Sequence, residues 1–139
     1  MKILLDTNII VDAALEREPY VDASREILLL VEQGQIEGYI SASTFSDIYY
    51  IVGKARGKEW ARNFLTWLLT YCKIATVNQE IIETALNSNF SDLEDAIQYS
   101  TALINQLDAI VTRNTQDFPV VNPRIITPDL FIQKLNNSV

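Results

Sequence analysis

The sequence predicts an α/β fold in which a central parallel sheet of four to five strands is covered by helices on both faces. Three observations predict it. Short apolar runs alternate with helical periodicities along the chain, the first run is apolar at every position, as in a strand buried on both faces, and no Pro/Gly/Ser-rich linker or repeat breaks the alternation. With 139 residues, 48% of them hydrophobic, the chain is expected to form one domain, residues 1–139, whose core needs no disulfide or structural metal.

Ile3-Leu4-Leu5 is the first strand and ends at Asp6. From Asp22 the period becomes helical, with Ile27, Leu28 and Val31 on one stripe and Gly34 as the stop. Glu37 to Ser41 reads as the second strand, after which Ser43 or Thr44 is expected to cap a helix carrying Phe45, Ile48, Tyr49 and Val52, with Asp47 in its first turn. Trp60, Phe64, Trp67, Leu68 and Tyr71 recur at helical spacing, Ile74 to Val77 reads as the third strand, and Asn78 caps the helix after it. Ser91-Asp92-Leu93-Glu94 has the form of a capping box. A long helix is expected to begin there, with Leu93, Ile97, Thr101 and Ile104 facing the sheet and Asp95, Tyr99 and Ala102 on the neighbouring stripe. Asp108 to Thr112 is the fourth strand and Arg124 to Ile126 a short fifth, while Thr127-Pro128 opens the last helix with proline at its first position.

Composition narrows the chemistry. There is no histidine, which excludes Ser-His-Asp triads, Cys-His pairs, histidine acid–base nucleases and histidine-ligated zinc. The single cysteine, Cys72, has no partner for a disulfide or a zinc site and reads as a small buried apolar residue. Nothing in the sequence resembles a membrane span or signal peptide, so a cytoplasmic protein is expected. The formal net charge of −7 disfavours broad duplex binding, although divalent cations held by a carboxylate cluster would offset part of it.

Carboxylates are therefore the expected workers. In open α/β sheets the functional crevice lies beyond the C-terminal ends of the strands, and Asp6, Asp47, Asp95 and Asp117 all fall at such positions. Asp6 is the strongest candidate, because a charge closing a buried apolar strand is costly unless paired or metal-bound. Asp92 and Glu94 are adequately explained as acids at a helix N-terminus. Convergent carboxylates with few cations nearby, Arg113 being the closest in sequence, point to a hard ion such as Mg²⁺ or Mn²⁺ and to hydrolysis of a phosphodiester by activated water.

Three segments, Leu5-Asp6-Thr7-Asn8, Asp92 through Tyr99 and Thr112 through Phe118, together resemble the PIN domain family, especially the small prokaryotic branch of VapC-type toxins, over nearly the whole chain. The resemblance implies a three-layer α/β/α sandwich, Mg²⁺- or Mn²⁺-dependent cleavage of single-stranded RNA, a homodimer, and a small antitoxin that holds the toxin inactive. It assigns catalytic roles to Asp6, Asp47, Asp95 and Asp117, with Asn114 joining Asp6, Asp95 and Asp117 as a metal ligand. Two positions depart from the family. Asp47 stands where glutamate is common, and Asn114 where Thr-Arg-Asp is the frequent pattern, so Asp117 is expected to be the main fourth ligand.

Thr7 and Thr112 are expected to hold acids or waters, Asn8 to fix a turn after Asp6, and Arg113 to contact substrate. Lys54, Arg56, Lys58 and Arg62 read first as a solvated basic helix and loop, with contact to RNA phosphates as the functional alternative. Tyr49, Tyr50, Trp60, Phe64 and Trp67 read mostly as core, yet in excess of what one helix pair buries, which leaves a dimer or antitoxin groove as their second use. The competing function is a catalytically weak RNA- or protein-binding module. A haloacid-type phosphatase fits worse, since it wants an aspartate where Asn8 stands, and so does a phosphoacceptor receiver.

Overall fold

A computed structural model describes residues 1–137. Five strands, β1 (Lys2–Leu5), β2 (Glu37–Ser41), β3 (Lys73–Ala75), β4 (Ala109–Val111) and β5 (Arg124–Ile126), form an all-parallel sheet in the order β3-β2-β1-β4-β5. The helices are α1 (Thr7–Ala14), α2 (Val21–Glu32), α3 (Phe45–Arg56), α4 (Lys58–Tyr71), α5 (Gln79–Leu86), α6 (Leu93–Ile104) and α7 (Pro128–Asn137), and a short 3₁₀ turn spans Thr115–Asp117. The predicted α/β/α sandwich is the observed one.

The pleat divides the core. Ile3, Leu5, Ala109 and Val111 project to one face, where α1 to α4 and α7 supply Ile9, Ile27, Val31, Ile48, Val52, Leu65 and Phe131. Leu4 and Ile110 project to the other, under Ala102 of α6 and Phe118, and α5 packs against α6. Strand β1 is covered on both sides, as its uninterrupted apolar run requires.

Two devices work as the sequence predicts: Asn78 caps α5 by accepting from the Ile81 amide at 3.1 Å, and the Thr127 hydroxyl accepts from Leu130 N at 3.4 Å to start α7. Others differ. The chain after Asp6 is not a turn: it enters α1 at once, and Ile9, Ile10, Val11, Asp12, Ala13 and Ala14 are all buried. A helix wedged between the sheet, α2 and α3 has no polar face, so it shows no amphipathic period to read. Thr44 is the N-cap of α3, but its hydroxyl donates to Ser41 O at 3.1 Å instead of capping. At α6 the cap is Asp92, accepting from Asp95 N at 3.0 Å, and not Ser91. That helix turns Ala96, Gln98, Ser100, Thr101 and Ala102 inward while Leu93 is exposed.

The aromatic series divides as expected: Tyr49, Trp60 and Phe64 pack against the core, and Tyr50 and Trp67 are the exposed excess. On α4 the buried residues are Ala61, Leu65 and Leu68. Trp60, Phe64, Trp67 and Tyr71 stack in sequence along the helix, with centroids 5.4, 6.0 and 5.7 Å apart, and Trp67 and Tyr71 are exposed. Tyr50 is 67% exposed.

Candidate active site

Strand order reverses direction at β1, whose neighbours β2 and β4 lead to opposite edges of the sheet. This is a topological switch point, where the loops leaving the two central strands part and open a crevice. Asp6 leaves β1 there, and its amide is tied to Val111 O of β4 at 3.0 Å.

Asp6 is 7% exposed and its carboxylate is held by four donors. Oδ1 accepts from Thr7 N at 2.7 Å and from Gln98 Nε2 at 2.8 Å. Oδ2 accepts from Thr112 Oγ1 at 2.7 Å and from Asn8 Nδ2 at 3.3 Å. All four donors are neutral. They fix the carboxylate without cancelling its charge, and the N-terminus of α1, which Asp6 caps, adds only a partial positive charge. Thr112 Oγ1 in turn accepts from Asn114 N at 3.1 Å, and Asn8 Oδ1 accepts from Arg113 N at 3.4 Å, so Asn8 bridges the loops after β1 and β4.

A cavity of about 290 Å³ opens beside Asp6, lined among others by Thr7, Asn8, Arg17, Glu94, Asp95, Gln98, Asn114 and Asp117. Four acids thus face one space. Burial pushes the Asp95 carboxyl up to about 6, with further contributions from the negative charges of Asp92, Asp6, Asp117 and Glu94. Glu94, at the exposed rim, is raised by loss of water and then by Asp47, which is also its hydrogen-bond partner. Both shifts come first from burial and then from neighbouring acids, and both disfavour the charged carboxylates in the metal-free fold.

The residue chemistry fits a hard divalent cation. Every acid and amide of the lining offers oxygen, and two buried oxygens there, Gln98 Oε1 and Thr7 Oγ1, have no hydrogen-bond partner. Among the described residues no three His, Cys, Asp or Glu side chains are grouped to hold an ion by themselves.

Of the residues expected from the sequence, Asp6, Asp95, Asp117, Asn114, Thr7 and Asn8 line this cavity, and Thr112 supports it through Asp6. Asp47 does not line it and reaches it only through Glu94. Arg113 is turned away. Its guanidinium donates to both oxygens of Asp12, Nε to Oδ2 at 2.8 Å and Nη2 to Oδ1 at 3.3 Å, and lies 4.3 Å from the Tyr20 ring centre. Asp12 holds that guanidinium charged.

Four residues escaped the sequence reading. Asp12 is fully buried and also faces Arg17 at 3.8 Å; its signal was an acid inside the apolar run Ile9 to Ala14, the same signal that singled out Asp6. Arg17 is the cation that lines the cavity. Gln98 lies one helical turn after Asp95 and Glu94, where a polar residue on a buried stripe could have been noticed. Glu94 looked complete as a helix-terminal acid, and nothing local revealed that α6 points its N-terminus at Asp6.

Comparisons with known proteins agree with this architecture. The PIN domain family matches residues 2–116. The chain is 24% identical to Ribonuclease VapC1 of Aquifex aeolicus over 97% of its own length and 96% of the relative's. It superimposes on a chain of a toxin–antitoxin complex from Klebsiella pneumoniae with a TM-score of 0.69 and 27% identity, covering 91% of this chain and 97% of that one. VapBC2 from Rickettsia felis, solved bound to a DNA fragment from its promoter, matches with a TM-score of 0.65 and 21% identity over 91% and 97% of the two chains.

Proposed function

The chain belongs to the PIN domain family, and from that premise we propose that it is a Mg²⁺- or Mn²⁺-dependent endoribonuclease cleaving single-stranded RNA, the toxin of a toxin–antitoxin pair, with residues 1–139 acting as one catalytic domain. One observation carries the reading: Asp6, Glu94, Asp95 and Asp117 converge on a single cavity, where burial first and the neighbouring acids second push the Asp95 carboxyl up to about 6. The ribonuclease and toxin–antitoxin relatives support the substrate class and the partner.

Asp6, Asp95, Asp117 and the Asn114 amide oxygen are the groups that would hold the ion, in part through bound water, since among the described residues no three acids are grouped to ligate it together. When bound, the ion supplies Lewis acidity to a phosphodiester and to water. The chain's own residues do the rest. The four neutral donors on Asp6 keep its carboxylate from turning away, so orientation is set before substrate arrives. Glu94 and Asp47, a hydrogen-bonded pair at the rim, are the carboxyls placed to take a proton from attacking water and release it to solvent. Arg17, half-exposed beside the cavity, offers a positive charge to a phosphate oxygen. The weak-module alternative rested on the charge missing at Asn114, and Glu94 brings that charge back to the same cavity.

An antitoxin segment would seat in the largely apolar groove of about 440 Å³ between α2 and α4, lined by Leu28, Leu29, Trp60, Phe64 and Trp67 with Arg25 and Glu32. A homodimer is part of the same reading. The test is cleavage of single-stranded RNA with Mn²⁺, with Mg²⁺ and with EDTA. Asp95→Asn is expected to lower the rate about 10²–10³-fold at unchanged fold. Cleavage undiminished in that variant, or persisting in EDTA, sinks the reading.

A further inference from the structure

We propose that the outer face of α3 and the start of α4 form a docking track for single-stranded RNA, leading the strand toward the acid cavity; this rests on the ribonuclease reading above. The chain is acidic overall, but its cations are not evenly spread. Four of its 11 Lys and Arg residues, Lys54, Arg56, Lys58 and Arg62, fall within nine consecutive positions, and α3 and α4 carry only Asp47 and Glu59 against them.

Most other cations near acids are spent. Arg113 faces Asp12, Arg25 pairs with Glu16 and Lys73 with Glu37, while Arg17, 3.8 Å from Asp12, belongs to the cavity. Within the basic stretch, Arg56 is also committed, donating to Ala14 O at 3.0 Å and lying 3.9 Å from the Trp60 ring centre. Lys54 and Lys58 are exposed and have no ion-pair partner among the described residues. Together with Tyr49, Tyr50 and Gly53 they line a surface recess of about 290 Å³. The recess itself is apolar, walled by the tyrosine rings and the alkyl stems of the two lysines, whose side chains are exposed at its edge.

That pairing is what single-stranded RNA requires: an aromatic face on which any base stacks, and cations within reach of the adjoining phosphates. Position completes the case. Asp47, Tyr50, Ile51 and Lys54 recur at helical spacing along one side of α3. Asp47 contacts Glu94 at the cavity rim, and Ile51 lines the cavity itself. The recess and the acids are therefore consecutive stations on one surface. Positive charge on the approach suits a polyanion drawn in by its flanking nucleotides, and the acids of the cavity would meet it only with a divalent cation bound there.

The test is anisotropy of a short fluorescent oligouridylate in EDTA, which stops metal-dependent cleavage. Wild type is expected to bind, because the track lies outside the metal cavity. Tyr50→Ala is expected to weaken binding roughly tenfold. Lys54→Glu with Lys58→Glu is expected to weaken it further and to flatten the slope of log affinity against log salt by about 1.4, from roughly 0.7 per phosphate contact; Lys54→Arg with Lys58→Arg is expected to retain it. Circular dichroism checks the fold of each variant. Affinity and slope unchanged in both weakened variants overturn the proposal, and a shift in sedimentation instead identifies a protein interface. If wild type cleaves RNA with Mn²⁺ but does not bind in EDTA, the track fails and the nuclease stands; if it neither binds nor cleaves, both fall.

Discussion

Two buried aspartates sit at opposite ends of one short helix and do opposite things. Asp12, near the end of α1, is fully buried and is met by the Arg113 guanidinium in a two-pronged contact, with Arg17 beyond. Asp6, at its start, is almost as buried, yet every donor on it is neutral and its nearest charged companions in the cavity are mostly acids. The difference teaches how to separate a structural carboxylate from a working one. A buried charge with a cation partner is already balanced and has nothing to offer a ligand. A buried charge held only by dipoles is oriented but unbalanced, and a divalent cation is what balances it.

The sharpest way to break the comparison is Asp12→Ala. Removing one partner of a buried pair strands the other, and with Arg113 partly solvated the expected loss is roughly 2–4 kcal/mol of stability, read from urea midpoints. A variant as stable as wild type would mean Asp12 is not the balanced member.

Asp6→Asn should behave in the reverse manner. Shape and the two bonds to Oδ1 survive while the charge goes and an amide nitrogen meets the Thr112 and Asn8 donors, so metal-free stability is expected to fall by about 1–2 kcal/mol, less than in Asp12→Ala. Manganese affinity, measured by calorimetry, is expected to fall at least tenfold. Retained affinity would show that the charge at Asp6 is not what draws the ion.

The smallest effect is on pH dependence. Asp95 in the metal-free fold titrates at about 6 against an ordinary value of 3.8. The folded state therefore binds a proton that the unfolded chain has already released, and this contribution to stability is present below about pH 4 and lost as pH rises through about 6. In EDTA, thermal midpoints of wild type should fall relative to those of Asp95→Asn across that window, and saturating Mn²⁺ should remove the difference. Parallel curves in EDTA would show that burial among these acids does not raise the Asp95 carboxyl.

Much of the fold was legible because strands and caps announce themselves locally. Glu37 to Ser41 and Arg124 to Ile126 stand where their composition placed them, and Asn78 and Thr127 cap as their types suggest. Helix α1 was not legible, since a segment buried all round carries no stripe. The inward face of α6 was misread for a related reason: small and polar residues, Ala96, Gln98, Ser100 and Ala102, pack it closely where larger apolar ones were expected. At the site, Asp6, Asp95 and Asp117 were found from their places after strands and at helix starts, whereas Gln98 and Glu94 had no local mark. The aromatic residues of α4 were recognised as an excess, but their exposure depended on how α4 lies over α2 and α3.

By itself, the sequence determined the chemistry open to this protein. With no histidine and a single cysteine lacking any partner, histidine-based catalysis and zinc chemistry were closed, and carboxylates with a cation to join them became the expected workers. It also determined the order of strands and helices that puts acids at one sheet edge. Only the tertiary structure decided which acids meet and which are neutralised. Gln98 reaches Asp6 across 92 residues and Arg113 reaches Asp12 across 101, and a charge is defined by its neighbours in space: Asp6 and Asp12 look alike in the chain, and only packing gave one a guanidinium and left the other facing acids.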